Sequence, residues 1–314
     1  MAPSKVVLAS PRGYCAGVDR AVDTVERALD HFGPPVYVRR EIVHNRHVVS
    51  ELTGRGAVFV ETEDDVPHGA VLVLSAHGVA PEVHRRSAER SLRVLDATCP
   101  LVTKVHTEAR RFADRGYTIA LVGHAGHEEV IGTMGEAPEA IRLVESIADV
   151  EALDVPDPDR VAYITQTTLS VDETVGIIAA IRRRYPAAIG PKRDDICYAT
   201  QNRQNAVKRL AGSVDLVLVI GSRNSSNSNR LVEVTRDLGV PAYLIDDERD
   251  IDPRWLDGVE TVGITSGASA PETLVERVLA HFRELGVDRI ETQDAEPETV
   301  RFSLPVQLRR FVRS

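Results

Sequence analysis

The sequence predicts an α/β protein of three similar lobes, each a mostly parallel sheet with flanking helices, arranged as a trefoil around a central site. Three observations predict it. Short β-rich runs alternate with helical patterns almost throughout the 314 residues, the signature of βα units on parallel sheets. The polar strand-to-helix junctions fall into three sets of three. Each set opens with a cysteine, and the chain has only three cysteines.

The first set is GYCAG, IVHNR and SAHGV; the second is ATCPL, GHAGHEE and TQTTLS; the third is DICYATQN, GSRNSSNSN and TSGASAPE. Their repeat of about ninety residues is too long for a solenoid and suits small domains. The expected boundaries are a first lobe over 1–98 with Cys15, a second over 99–193 with Cys99, and a third over 194–285 with Cys197. A C-terminal arm over 286–314, containing RFSLPVQL, carries no readable chemistry. Ligands of open α/β sheets gather at the carboxyl edges of the strands, so these junctions are predicted to face one centre.

The individual elements follow in order. The apolar run that opens at Val6 gives way at Cys15 to a helical pattern, in which Val18, Ala21, Val22, Val25, Ala28 and Leu29 share a face. Further strands are predicted at VYV (36–38), VLVLSA (71–76), IALVG (119–123), VAYIT (161–165), LVLVIG (216–221) and TVGIT (261–265). SVDE (170–173) and SAPE (269–272) fit the capping-box pattern, the second with Pro271 inside the first turn. Pro100, directly after Cys99, suits a helix entry.

Composition narrows the function. A hydrophobic content of 43% supplies cores for two or three domains, and a net charge of −9 argues against a nucleic-acid or anionic-membrane binder. The basic clusters RRRY (182–185) and RRFVR (309–313) are short enough to be solvated helix faces. No run approaches the roughly 20 apolar residues of a membrane helix, and MAPSKVVLAS lacks the apolar core of a signal peptide, so a cytoplasmic protein is expected. An odd cysteine count precludes complete internal pairing, and the absence of CxxC removes thioredoxin-like chemistry and a zinc ribbon.

A lone cysteine is ordinarily an inert small hydrophobe. Three at matching helix starts are not, because the helix dipole and free N–H groups there favour thiolate, the form that ligates metal. Three converging thiolates suit an all-thiolate zinc site or a three-ligand iron–sulfur cluster, and the lack of His and carboxylate ligands favours the cluster. Three ligands on a cubane leave one iron open to a substrate oxygen. The other junctions are rich in His, Ser, Thr and Asn, with a carboxylate pair in GHAGHEEV. Taken singly, His44, His77 and His127 are capping or core histidines, and SSNSN (225–229) is a turn and cap. Together they form an anion pocket for a phosphate or diphosphate. No GxxxxGK[ST], GxGxxG or HExxH occurs.

The motifs PRGYCAGVDRAV, EIVHNRHVV, SAHGV, DATCPLVTKVH, GHAGHEEVIGTMG, TQTTLSVD, DDICYATQNRQ, GSRNSSNSNRL and TSGASAPE closely resemble the hydroxymethylbutenyl diphosphate reductase family over about residues 5–275. That family carries out the last step of the methylerythritol phosphate route to isoprenoid precursors. The resemblance implies a trefoil fold and a 4Fe–4S cluster on Cys15, Cys99 and Cys197, with the fourth iron left for the substrate hydroxyl. It implies diphosphate binding by His44, His77, His127, Ser225, Ser226, Asn227 and Ser269, proton delivery by Glu129, and Thr167 beside the substrate hydroxyl. It also implies an electron donor such as a ferredoxin or flavodoxin. Glu128 stands where the resemblance predicts proline. The rival readings are a non-redox iron–sulfur hydro-lyase, a cluster-based sensor, and a zinc enzyme on the same thiolates.

Overall fold

The computed structural model describes residues 3–295 and 298–309. The chain begins with β1 (Lys5–Leu8), α1 (Ala16–Phe32), β2 (Val36–Arg39), α2 (Arg46–Gly54) and β3 (Ala57–Val60). Next come β4 (Val71–Leu74), α3 (Pro81–Glu89), β5 (Arg93–Asp96) and α4 (Pro100–Asp114). The middle forms β6 (Thr118–Val122), α5 (Glu128–Glu136), β7 (Ile141–Val144), α6 (Ile147–Ala152), β8 (Val161–Thr165) and α7 (Val171–Arg184). The remainder is α8 (Tyr198–Ala211), β9 (Leu216–Ile220), α9 (Ser226–Asp237), β10 (Ala242–Ile245), β11 (Thr261–Ser266), α10 (Glu272–Glu284), β12 (Arg289–Thr292) and α11 (Val306–Arg309).

Three parallel sheets with flanking helices result, as the alternating pattern predicts. The chain divides into two compact units. The first takes the chain up to Val18, His44–Ser50 and Tyr198–Arg301, and holds the five-stranded sheet β10-β9-β11-β1-β12. Alternation along its strands feeds two cores. Val6, Leu8, Leu218 and Ile264 pack with Leu274, Val278 and Phe282 of α10 on one face. Val7, Val217 and Val219 pack with Val207 and Leu210 of α8 and Leu231 of α9 on the other.

The second unit takes Asp19–Val43, Glu51–Cys197 and the chain from Phe302. It holds the four-stranded sheet β3-β2-β4-β5 and the three-stranded sheet β7-β6-β8. Ile119, Leu121 and Ile164 meet Val105 and Phe112 of α4, while Val122 and Tyr163 meet Ile177 and Ile181 of α7.

Several details differ from expectation. β1 belongs with β11 and β12, so the strand that leads to Cys15 shares a sheet with strands from the last third of the chain. β12 itself comes from the stretch expected to be an arm. DICYATQN is not preceded by a strand; residue Ile189 makes only an isolated bridge to Ala162. SAPE does not cap α10: that helix starts at Glu272 with Pro271 as its N-cap, and the Ser269 hydroxyl donates instead to the His44 carbonyl at 2.9 Å. In SVDE, the side chain of Glu173 lies outside what is described, as does RRFVR from residue 310 onward. The three arginines of RRRY are exposed, but Tyr185 is buried in the α7 core.

Candidate functional site

In the first unit, the carboxyl ends of β1, β9 and β11 carry three of the predicted junctions. Cys15 follows β1 and immediately precedes α1; it is half-buried and its N–H donates to the Ala268 carbonyl at 3.3 Å. Ser225 caps α9: its Oγ accepts from the Ser228 N–H at 3.3 Å and from the Ser228 hydroxyl at 3.0 Å. Its own hydroxyl proton therefore remains available to an outside acceptor. Ser226 opens α9, and buried Asn227 accepts from the Ala268 N–H at 2.9 Å while donating to Thr200 Oγ1 at 3.3 Å. His44 sits just before α2, its Nδ1 3.3 Å from Asn224 Nδ2, and Asn45 caps that helix through the N–H groups of His47 and Val48.

Two glycines make this packing possible. A Cβ on Gly221 or Gly267 would lie 2.1 or 2.0 Å from Ser228 Oγ, so the fully buried Ser228 fills the space both leave at the ends of β9 and β11. Ser228, Thr200 and Asn224 lie inside junctions that the sequence picks out, yet their individual roles needed the structure.

In the second unit, Glu129 lies in the first turn of α5 and is 2% exposed. Its carboxylate accepts from the Thr167 N–H at 2.6 Å and from the Thr167 hydroxyl at 3.0 Å. Burial pushes this carboxyl up to about 7; the two Thr167 bonds oppose the rise and the charge of Asp195 adds to it. His127 caps α5, its Nδ1 accepting from the Glu129 N–H at 3.2 Å, which places the ring proton of the neutral form on Nε2. The His77 and His127 rings lie edge-to-face with centroids 5.9 Å apart. Glu128 faces away from this pair of bonds: its carboxylate lies 3.6 Å from His77 Nδ1 and 3.7 Å from Arg40 Nη1.

Cys99 is the N-cap of α4, with Pro100 in the first position, and its N–H donates to the Ala76 carbonyl at 3.0 Å. Cys197 immediately precedes α8, and its N–H donates to the Thr167 carbonyl at 3.0 Å. Thr167 thereby ties the Glu129 carboxylate to the backbone of Cys197. Nearby, the buried Asp195 accepts from the Thr165 N–H at 3.0 Å and from Lys104 Nζ at 2.9 Å. Burial raises this carboxyl and that of Glu108, and Lys104 opposes both shifts.

Among the described residues no three His, Cys, Asp or Glu side chains gather as an ion site. The chemistry of the donor set nevertheless fits an iron–sulfur cluster: three half-buried cysteines outside any disulfide, each directly ahead of a long helix. No described helix is long and apolar enough to cross a membrane.

The LytB protein family matches residues 6–283. The chain belongs to the LytB family. Its relatives include the 4-hydroxy-3-methylbut-2-enyl diphosphate reductase of Acidothermus cellulolyticus, 62% identical over 99% of this chain and 92% of that protein. The reductase of the same name from Mycolicibacterium paratuberculosis is 61% identical over 97% of this chain and 92% of its own. Among solved structures, the E-1-hydroxy-2-methyl-but-2-enyl-4-diphosphate reductase of Plasmodium falciparum superposes with a TM-score of 0.94 at 36% identity, covering 99% of this LytB chain and 98% of that one.

Proposed function

We infer that this LytB chain reduces 4-hydroxy-3-methylbut-2-enyl diphosphate to isopentenyl and dimethylallyl diphosphate, the terminal step of the methylerythritol phosphate pathway. The reaction takes up two electrons and two protons and releases the substrate hydroxyl as water. Membership in the LytB family, with relatives of the same name at about three-fifths identity, supports the reductive reaction and gives no support to the hydro-lyase reading.

Cys15, Cys99 and Cys197 would hold a 4Fe–4S cluster. When bound, it supplies one-electron transfer and an open iron position for the substrate hydroxyl. The chain's own residues then bind and protonate. The hydroxyl of Ser225, the first-turn N–H groups at Ser226 and Asn227, Ser269, and the imidazoles of His44, His77 and His127 fix the diphosphate, with the α9 dipole favouring its charge. Glu129 delivers the proton that lets the hydroxyl leave as water, and Thr167 orients it. The observation that carries this assignment is a carboxyl buried to 2% exposure, doubly held by Thr167 and half-protonated near neutral pH. Cysteines outside any disulfide fit a reducing compartment, and a ferredoxin or flavodoxin in the cytoplasm is the donor this reading calls for.

The test is a visible spectrum of protein purified without oxygen, before and after dithionite and then after the diphosphate substrate. A brown absorption that bleaches on reduction and returns with substrate, together with formation of both products, is expected. A colourless protein fully loaded with zinc sinks the redox assignment.

A further inference from the structure

Each cysteine is preceded by a loop whose carbonyl groups are gripped by a cation, and none of these cations has a part in the chemistry described above. Arg203 of α8 is 0% exposed. It donates from Nε and Nη2 to the Gly13 carbonyl at 3.1 and 2.6 Å, and from Nη2 to the Tyr14 carbonyl at 3.3 Å, directly ahead of Cys15. Arg20 of α1 donates to the Thr98 carbonyl at 3.0 Å and the Asp96 carbonyl at 3.2 Å, directly ahead of Cys99. Lys104 of α4 donates to the carbonyls of Arg193 and Asp194 at 2.7 and 3.1 Å and to the Asp195 carboxylate at 2.9 Å, ahead of Cys197.

The order of these cations is cyclic. The helix that follows Cys15 carries Arg20, which holds the loop before Cys99. The helix that follows Cys99 carries Lys104, which holds the loop before Cys197. The helix that follows Cys197 carries Arg203, which holds the loop before Cys15. Each cation stands five or six residues past its cysteine. The C-terminal arm adds a second anchor to two of them. Glu298 pairs with Arg203 at 3.2 Å and also accepts from Asn202 at 2.9 Å, while the Ser303 carbonyl accepts from Arg20 Nε at 2.8 Å.

We propose that Arg203, Arg20 and Lys104 are positioning residues that fix the backbone ahead of Cys15, Cys99 and Cys197, and that the arm sets two of them through Glu298 and Ser303. The physical basis is orientation. Charge-assisted bonds to successive carbonyls lock the peptide planes leading into each cysteine and so fix the direction of its Cα–Cβ bond. This rests on the reading of the three cysteines as cluster ligands.

The experiment is alkylation of the three thiols in cluster-free protein by iodoacetamide, with the rate at each cysteine read from its own peptide by mass spectrometry. Arg203→Met is expected to speed Cys15 by about tenfold or more, since the loss of even one of its charge-assisted hydrogen bonds is worth that factor. Arg20→Met should do the same for Cys99 and Lys104→Met for Cys197, with the other two thiols within about twofold in each case. Glu298→Ala, a change on the arm that leaves the α8 core intact, should speed Cys15 alone. Lys104→Arg should restore the slow rate at Cys197. Equal acceleration of all three thiols in every variant, or no change in any, overturns the proposal. Iron binding to single Cys→Ser variants separates the two questions: full retention of iron removes the ligand reading, whereas loss of iron with unselective alkylation removes the positioning role alone.

Discussion

Thr167 gives both its N–H and its hydroxyl to the two carboxylate oxygens of Glu129, at 2.6 and 3.0 Å. Those bonds favour the charged form, and burial favours the neutral one. Burial prevails, so the carboxyl stands at about 7 instead of the usual 4.5. A group at that value holds a proton near neutral pH and yields it without a large energetic penalty.

The neighbouring carboxylates separate by partner. Glu128 lies toward Arg40 and His77, whereas Glu129 is enclosed with Thr167. Glu129→Gln should cut kcat by roughly 10²-fold or more, the range for loss of a positioned acid, with substrate still bound. Glu128→Gln should leave kcat within a few-fold. Steady-state assays on both variants decide it, and equal losses would move the proton donor to the pair as a unit.

The pH profile carries the same signature. If the acid form of Glu129 is the donor, kcat falls as pH rises through about 7. Thr167→Val removes one hydrogen bond that favours the carboxylate, so the acid form persists to higher pH. The falling limb should shift up by roughly one unit, with a lower plateau. A limb that stays in place in this variant assigns the titration to another group.

Stability responds in a defined window. The folded carboxyl has a higher pKa than the unfolded 4.5, so the folded chain binds the extra proton between 4.5 and about 7. Glu129 therefore contributes most below 4.5, and its contribution is lost as pH rises toward 7. Glu129→Gln should flatten that part of a Tm-against-pH curve relative to the parent. Parallel curves for the two proteins would show that Glu129 does not titrate in this range.

How far the sequence reached follows from where each kind of information sits. The junction loops were legible because their chemistry is local: a cysteine or histidine beside a helix start needs no distant partner to be noticed. The fully buried strands were legible too, since β4, β9 and β8 are buried throughout and read as unbroken apolar runs. The strands it did not single out, β3, β5, β7, β10 and β12, are all edge strands with exposed or half-exposed positions, which dilute the apolar signal. The placement of β1 between β11 and β12 rests on pairing partners more than 250 residues away, which no local pattern encodes. The hold of Arg203, Arg20 and Lys104 on the loops ahead of the cysteines was hidden for the same reason, because the loop groups they grip are chiefly backbone carbonyls that carry no side-chain identity.

The glycine pair around Ser228 gives a prediction about binding as distinct from chemistry. A methyl group on Gly267 would meet Ser228 Oγ at 2.0 Å and Ser228 Cβ at 3.1 Å, with Asn227 Oδ1 at 3.5 Å. Ser228 supports Ser225, and Asn227 holds the Ala268 N–H, so the clash displaces groups assigned to the diphosphate and leaves Glu129 untouched. Gly267→Ala should raise KM by about tenfold or more with a smaller change in kcat. Ser228→Ala removes the closest atom and leaves a contact that a shift of a few tenths of an ångström relieves. The double variant should therefore recover toward the Ser228→Ala single variant, with a coupling of roughly 1 kcal/mol or more in KM terms. Additive losses across this cycle would place the defect of Gly267→Ala in the backbone of the loop, not in its collision with Ser228.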